Sequence, residues 1–137
     1  MSCTDDALRL QHAVVVTARR LARERHAGLT PMQVSLLGSL DAEQVTVGEL
    51  ARRHGVRPPT VSRFLTWALS EGLVHRAPNP SDRRSRLYSA SPRATALLRT
   101  ARARHDRWLD GGMATLTAPE LATLRSAGAL LEQLATS

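Results

Sequence analysis

The chain has 137 residues, 42% of them hydrophobic, which suits one folded domain with one core; no apolar run approaches the ~20 residues that span a bilayer. Cys3 is the only cysteine, which excludes an internal disulfide or a cysteine-based metal cluster, and the five histidines (12, 26, 54, 75, 105) show no metal-binding spacing, so neither metal nor cofactor is expected. Net charge is +7 and unevenly spread: residues 1–51 carry net −1, residues 52–107 net +10 from thirteen arginines and three acids, and residues 108–137 net −2, so the middle of the chain is a footprint for a polyanion.

The acidic start Met1-Ser-Cys-Thr-Asp-Asp lacks the basic and apolar segments of a secretion signal, so a cytoplasmic protein is expected. Thr4-Asp5-Asp6 offers a cap and first-turn acids for a helix over about 5–26. Its apolar residues fall on two faces, Leu8, Val15 and Ala22 on one and Leu10, Val14 and Leu21 on another, which suits a buried or intersubunit helix. Thr30-Pro31-Met32-Gln33 is a capping box that opens a helix over about 31–40. Thr46-Val47-Gly48-Glu49 is a second box, opening a helix over about 47–54, and Gly55 suits the positive φ that ends it. The next helix, about 58–71, starts after only Gly-Val-Arg-Pro, the short break of a helix-turn-helix. Pro58 and Pro59 sit in its first turn, and Val61, Leu65, Ala68 and Leu69 form its inner stripe.

The period then changes. Leu73-Val74-His75-Arg76 and Arg86-Leu87-Tyr88-Ser89-Ala90 read as short strands around a charged, turn-rich segment, a hairpin with a basic tip. Ser91-Pro92 starts a helix towards Asp110, which Gly111-Gly112 is expected to end or kink. Thr117-Ala118-Pro119-Glu120 opens the last helix, about 119–135, whose Leu124, Ala127, Leu131 and Leu134 form a seam fit to pair with another helix. The fold class is mainly α, α+β in detail: a winged helix-turn-helix over about 30–92, flanked by long dimerisation helices over about 5–26 and 92–135, all in one domain.

These residues resemble the MarR family of bacterial transcriptional regulators over about 5–135. The resemblance is carried by Leu29-Thr30-Pro31, Thr46-Val47-Gly48-Glu49-Leu50-Ala51, Pro59-Thr60-Val61-Ser62-Arg63, Glu71-Gly72-Leu73-Val74, Asn79-Pro80-Ser81-Asp82-Arg83-Arg84 and Ser91-Pro92. It implies a homodimer on palindromic operators in double-stranded DNA, commonly a repressor relieved by a small phenolic or other aromatic effector or by oxidation, with no membrane partner and no enzymatic activity. The chain departs from the family pattern at Arg57, where Ser or Thr is usual, at Ala68-Leu69, at Ala94 in place of a glycine, and at Gly111-Gly112.

Thr60, Ser62 and Arg63 fall on the outer face near the start of the second helix of the motif, where groove-entering residues lie. Arg63 suits guanine, and Thr60 and Ser62 suit phosphates or bases. Arg83, Arg84 and Arg86 belong to the wing, whose tip can approach the minor groove; by the resemblance Asp82 braces Arg84. Arg52, Arg53 and Arg57 are candidate phosphate contacts. Trp67 fits the core better than a ligand cleft, while Trp108 and His105 fit either a dimer interface or a pocket. Cys3 is a candidate oxidant sensor only if its environment is tuned, which is not expected so close to a terminus. The competing readings are a protein-interaction module on the same fold, which would show eroded wing and helix charges, and a small enzyme or redox switch, which would need clustered acids or a Ser/His pair; the sequence has neither feature.

Overall fold

The computed structural model describes residues 2–103 and 107–137. Its elements run α1 (Cys3–Leu21), α2 (Pro31–Ala42), α3 (Val47–His54), α4 (Pro58–Ser70), β1 (Val74–Pro78), β2 (Arg86–Ala90), α5 (Pro92–Ala103), α6 (Arg107–Ala114) and α7 (Ala118–Ala135).

The core lies under α2, α3 and α4 and the base of the hairpin. Leu36, Leu37 and Leu40 of α2 meet Leu50 of α3, Val61 and Leu65 of α4, and Leu98 of α5, all essentially without exposure. Full burial of one such side chain is worth about 1.5–3 kcal/mol, so this cluster holds the helix-turn-helix rigid. Trp67 is half-buried against the core, its ring 6.0 Å from that of Phe64, in line with the packing role expected for it. β1 and β2 pair antiparallel from Val74↔Ala90 to Pro78↔Arg86. Val45 adds a bridge to β2, exchanging two backbone hydrogen bonds with Tyr88 at 2.8 and 2.9 Å. That bridge, which the sequence did not reveal, fixes the wing to the loop before α3.

Helix boundaries differ from expectation in three places. Ser2, not Thr4, caps α1, in a reciprocal box with Asp5. The helix stops at Leu21 rather than 26, and further on Ala27 and Gly28 take positive φ (53° and 82°) in a tight turn closed by His26 and Leu29; that turn seats Leu29 in the core. Gly111 and Gly112 lie inside α6, which runs on to Ala114. A helical glycine costs only about 1 kcal/mol relative to alanine, so it weakens a helix without dictating where the helix ends. His105 lies outside the described residues. Trp108 stacks under Arg20, whose guanidinium carbon is 4.8 Å from the ring centroid and whose side chain also pairs with Glu24.

Neither α1 nor α7 contains a buried residue. Leu8, Leu10, Val14, Val15 and Val16 on α1, and Leu124, Leu130 and Leu134 on α7, are all exposed, up to 67% for Leu134. Large apolar side chains exposed in this number along two helices are what a protein-protein interface covers.

Candidate nucleic-acid interface

The elbow between α3 and α4 is built by Gly55, which caps α3 at φ 60°, ψ 33°. Its N–H and that of Val56 bond back to α3 carbonyls, the usual closure of a helix by a left-handed residue. A Cβ at Gly55 would stand 2.8 Å from the Ala135 carbonyl oxygen, so the end of α7 rests on this elbow. Arg57 then occupies the cap of α4 without a side-chain bond. A capping side chain serves the N–H groups of the first turn, but Pro58 and Pro59 have none, and the Thr60 N–H already reaches the Arg57 carbonyl at 3.0 Å. The position is therefore free to carry a charge.

Val61, Phe64, Leu65 and Ala68 turn into the core. That register leaves Ser62 and Arg63 exposed and Thr60 half-buried on the opposite side. Among the described residues, neither Arg57 nor Arg63 has an ion-pair partner. The tip of the wing is ordered by its own side chains: Asn79 Oδ1 accepts from the Ser81 N–H at 3.0 Å, Asn79 Nδ2 donates to Ser85 Oγ at 2.7 Å, and Asp82 Oδ1 accepts from the Arg84 N–H at 2.9 Å. Asp82 thus braces the backbone of Arg84 and not its guanidinium, which stays exposed. The Arg86 guanidinium folds back onto the Arg83 and Ser85 carbonyls at 3.3 and 3.2 Å.

A cleft of about 540 Å³ joins the two halves. Ser62 of α4 lines it with Asp82, Arg84 and Arg86 of the wing and with Thr46, Val47 and Gly48 at the start of α3. Asn79 and Tyr88 line it too; the sequence marked Asn79 only as a turn former and gave Tyr88 no role beyond a strand. Thr60, Arg57, Arg63 and Arg83 lie outside this lining. Arg52 borders a second cleft of about 380 Å³ with Gly48, Gly55 and the end of α7. Arg53 borders a third, about 600 Å³, with Ser35, Ser39, His54, Glu132 and Gln133.

Arg52 and Arg53 are both engaged in ion pairs. Glu49 Oε2 takes Arg52 Nη2 at 2.6 Å and Glu49 Oε1 takes Arg53 Nε at 3.0 Å, while Arg53 Nη1 also meets Glu43 at 2.7 Å. These bonds hold the Glu49 carboxyl below its ordinary pKa and the Arg53 guanidinium above its own. The His54 ring is hydrogen-bonded to Ser35 (Nδ1, 3.3 Å) and Ser39 (Nε2, 2.8 Å). Burial, and then the Arg53 charge, push its pKa below the usual histidine value.

A helix-turn-helix followed by a hairpin wing, with basic side chains exposed on both, defines a winged helix-turn-helix DNA-binding protein. The family model described as "MarR family" matches residues 27–85. The chain is 37% identical over 124 residues to an HTH-type transcriptional regulator of Mycobacterium bovis, covering 89% of this chain and 87% of that one. This chain belongs to the MarR family of transcriptional regulators. Its fold matches that of a MarR mutant from E. coli solved with operator DNA (TM-score 0.78, 24% identity, 98% of this chain and 99% of that one). It also matches the PcaV regulator from Streptomyces coelicolor, solved with its natural ligand (TM-score 0.71, 22% identity, 100% and 94%). Among the described residues no helix is long and apolar enough to cross a membrane.

Proposed function

We propose that this chain acts as a homodimeric, non-enzymatic repressor that reads a palindromic duplex site, one winged helix-turn-helix (about 30–92) per half-site. The single observation that carries this reading is the cleft in which Ser62 of α4 meets Arg84 and Arg86 of the wing, beside the outward Arg63. With α4 in the major groove, Arg63 meets a guanine edge, Thr60 and Ser62 meet bases or phosphates, and Arg57 meets the backbone at the helix start. Arg83, Arg84 and Arg86 follow the adjoining backbone and minor groove, Asp82 holding the tip in shape. Arg52 and Arg53 approach flanking phosphates. The apolar faces of α1 and α7, with α5 and α6, form the dimer. A small aromatic effector fits the largely apolar cleft of about 310 Å³ lined by Leu21, His26, Pro31, Val34, Ala101, Arg102 and Leu109, with Arg102 available to an acidic group. The fold's occurrence on operator DNA and with a bound ligand in the two regulators above supports both halves of the reading.

The test is a mobility-shift titration with the gene's own upstream region and with random duplex, between ~50 and ~200 mM salt. Several phosphate contacts per dimer make affinity fall steeply over that range, and the upstream region should bind more tightly. Equal affinity for the two duplexes contradicts sequence-specific reading.

A further inference from the structure

We propose that Glu49 is a positioning residue for DNA binding, which holds the Arg52 and Arg53 guanidinia in the free protein and yields Arg52 only to the phosphate of a fully seated duplex, so that breaking the pair tempers affinity for the preferred site. The inference rests on the DNA-binding reading above.

Three helices of this chain open with Thr and carry Glu or Gln three residues on. In α2 and α7 the box closes: Gln33 reaches the Thr30 N–H at 2.9 Å and Glu120 the Thr117 N–H at 2.8 Å. In α3 only half of it forms. Thr46 Oγ1 accepts from the Glu49 N–H at 3.2 Å, but the Glu49 carboxylate turns forward and gives one oxygen to each arginine. A carboxylate and a phosphate offer guanidinia the same charge-assisted acceptors, so Glu49 competes with a DNA phosphate for these arginines. Together Glu43, Glu49, Arg52 and Arg53 carry no net charge, a neutral island at the N-terminal edge of the basic segment.

The two arginines are not held alike. Arg53 has a second acid, Glu43 at the end of α2, and is tied between helices. Arg52 has Glu49 alone, and its side chain is 71% exposed. Its Nη1 lies 3.6 Å from where a Cβ on Gly48 would stand, and Gly48 lines the cleft that Ser62, Arg84 and Arg86 share. Arg52 therefore stands at the edge of the proposed DNA face, with one weak tether. Exposed ion pairs are weak and screened by salt, so a phosphate delivered by a well-seated duplex displaces Glu49. A duplex held loosely, away from α4, does not bring a phosphate to that spot.

The experiment compares wild type, Glu49→Gln, Arg52→Ala and the double variant, as full-length protein, on the preferred duplex and on random duplex over a salt series. Gln still suits the third position of a capped helix, and thermal melts confirm folding. Glu49→Gln should raise affinity for the preferred duplex several-fold, because no ion pair then has to be broken to seat the phosphate on Arg52. Affinity for random duplex should change less, so the specificity ratio rises. The gain should vanish in the double variant. An unchanged ratio, a gain that persists without Arg52, or a loss on the preferred duplex that makes Glu49 a fixed support overturns the proposal. Wild-type protein that binds no duplex at all fails the underlying reading instead.

Discussion

Replacing Gly55 by alanine tests how the end of α7 bears on the reading head. Two separable costs follow from the geometry. At φ 60° a Cβ clashes with its own backbone, worth about 1–2 kcal/mol. The same Cβ would lie 2.8 Å from the Ala135 carbonyl oxygen, and forcing an atom into a packed site costs about 1–3 kcal/mol. Gly55→Ala should therefore destabilise the full chain by about 2–5 kcal/mol in urea unfolding, followed by circular dichroism at fixed protein concentration. In a chain lacking residues 135–137 the second cost disappears, and the substitution should cost only about 1–2 kcal/mol. The four-member cycle cancels whatever the truncation itself does to stability. Equal costs in the two backgrounds would refute a contact between α7 and the elbow.

Two further outcomes follow from the packing and the charges. His54 has its pKa pushed down by burial and by Arg53, with Glu132 also facing its cleft; the unfolded chain thus takes up a proton before the native one does. Stability should be full above the unfolded value of about 6.5 and fall as pH drops below it, and His54→Gln should flatten that slope between pH 7 and 5; an unchanged slope contradicts the assignment. Leu134→Glu, at a 67% exposed position on α7, should shift sedimentation towards monomer at micromolar concentration while leaving circular dichroism intact, whereas an undisturbed dimer would place the interface elsewhere.

What the sequence made legible is what local chemistry dictates. Thr30 and Thr117 announced their helices because reciprocal caps are written in four adjacent residues. Gly55 and the two prolines after it marked the elbow, and the turn formers of 79–85 marked the wing. Features set by distant partners were not legible. The Val45–Tyr88 bridge joins residues 43 apart in the chain, and the diversion of Glu49 from its cap to Arg52 and Arg53 depends on side chains one turn further on. The end of α1 at Leu21 was hidden because Ala22-Arg23-Glu24-Arg25 are all acceptable in a helix and no glycine or proline precedes Gly28. At the proposed DNA face the arginines could be picked out by composition. Their division into exposed (Arg57, Arg63, Arg84), folded back (Arg86) and ion-paired (Arg52, Arg53) required the fold.

The central claim is that α4 reads bases while the wing holds the backbone, and base preference tests it more directly than affinity. Wild type, Arg63→Ala and Arg84→Ala should be titrated against every single-base variant of the operator at fixed salt. Arg63→Ala should lose preference at one base pair in each half-site, a discrimination of about 1–3 kcal/mol, whereas Arg84→Ala should weaken binding to all variants nearly alike. An Arg63→Ala protein that keeps the wild-type base profile contradicts the account and moves the reading role to Arg57 or Thr60.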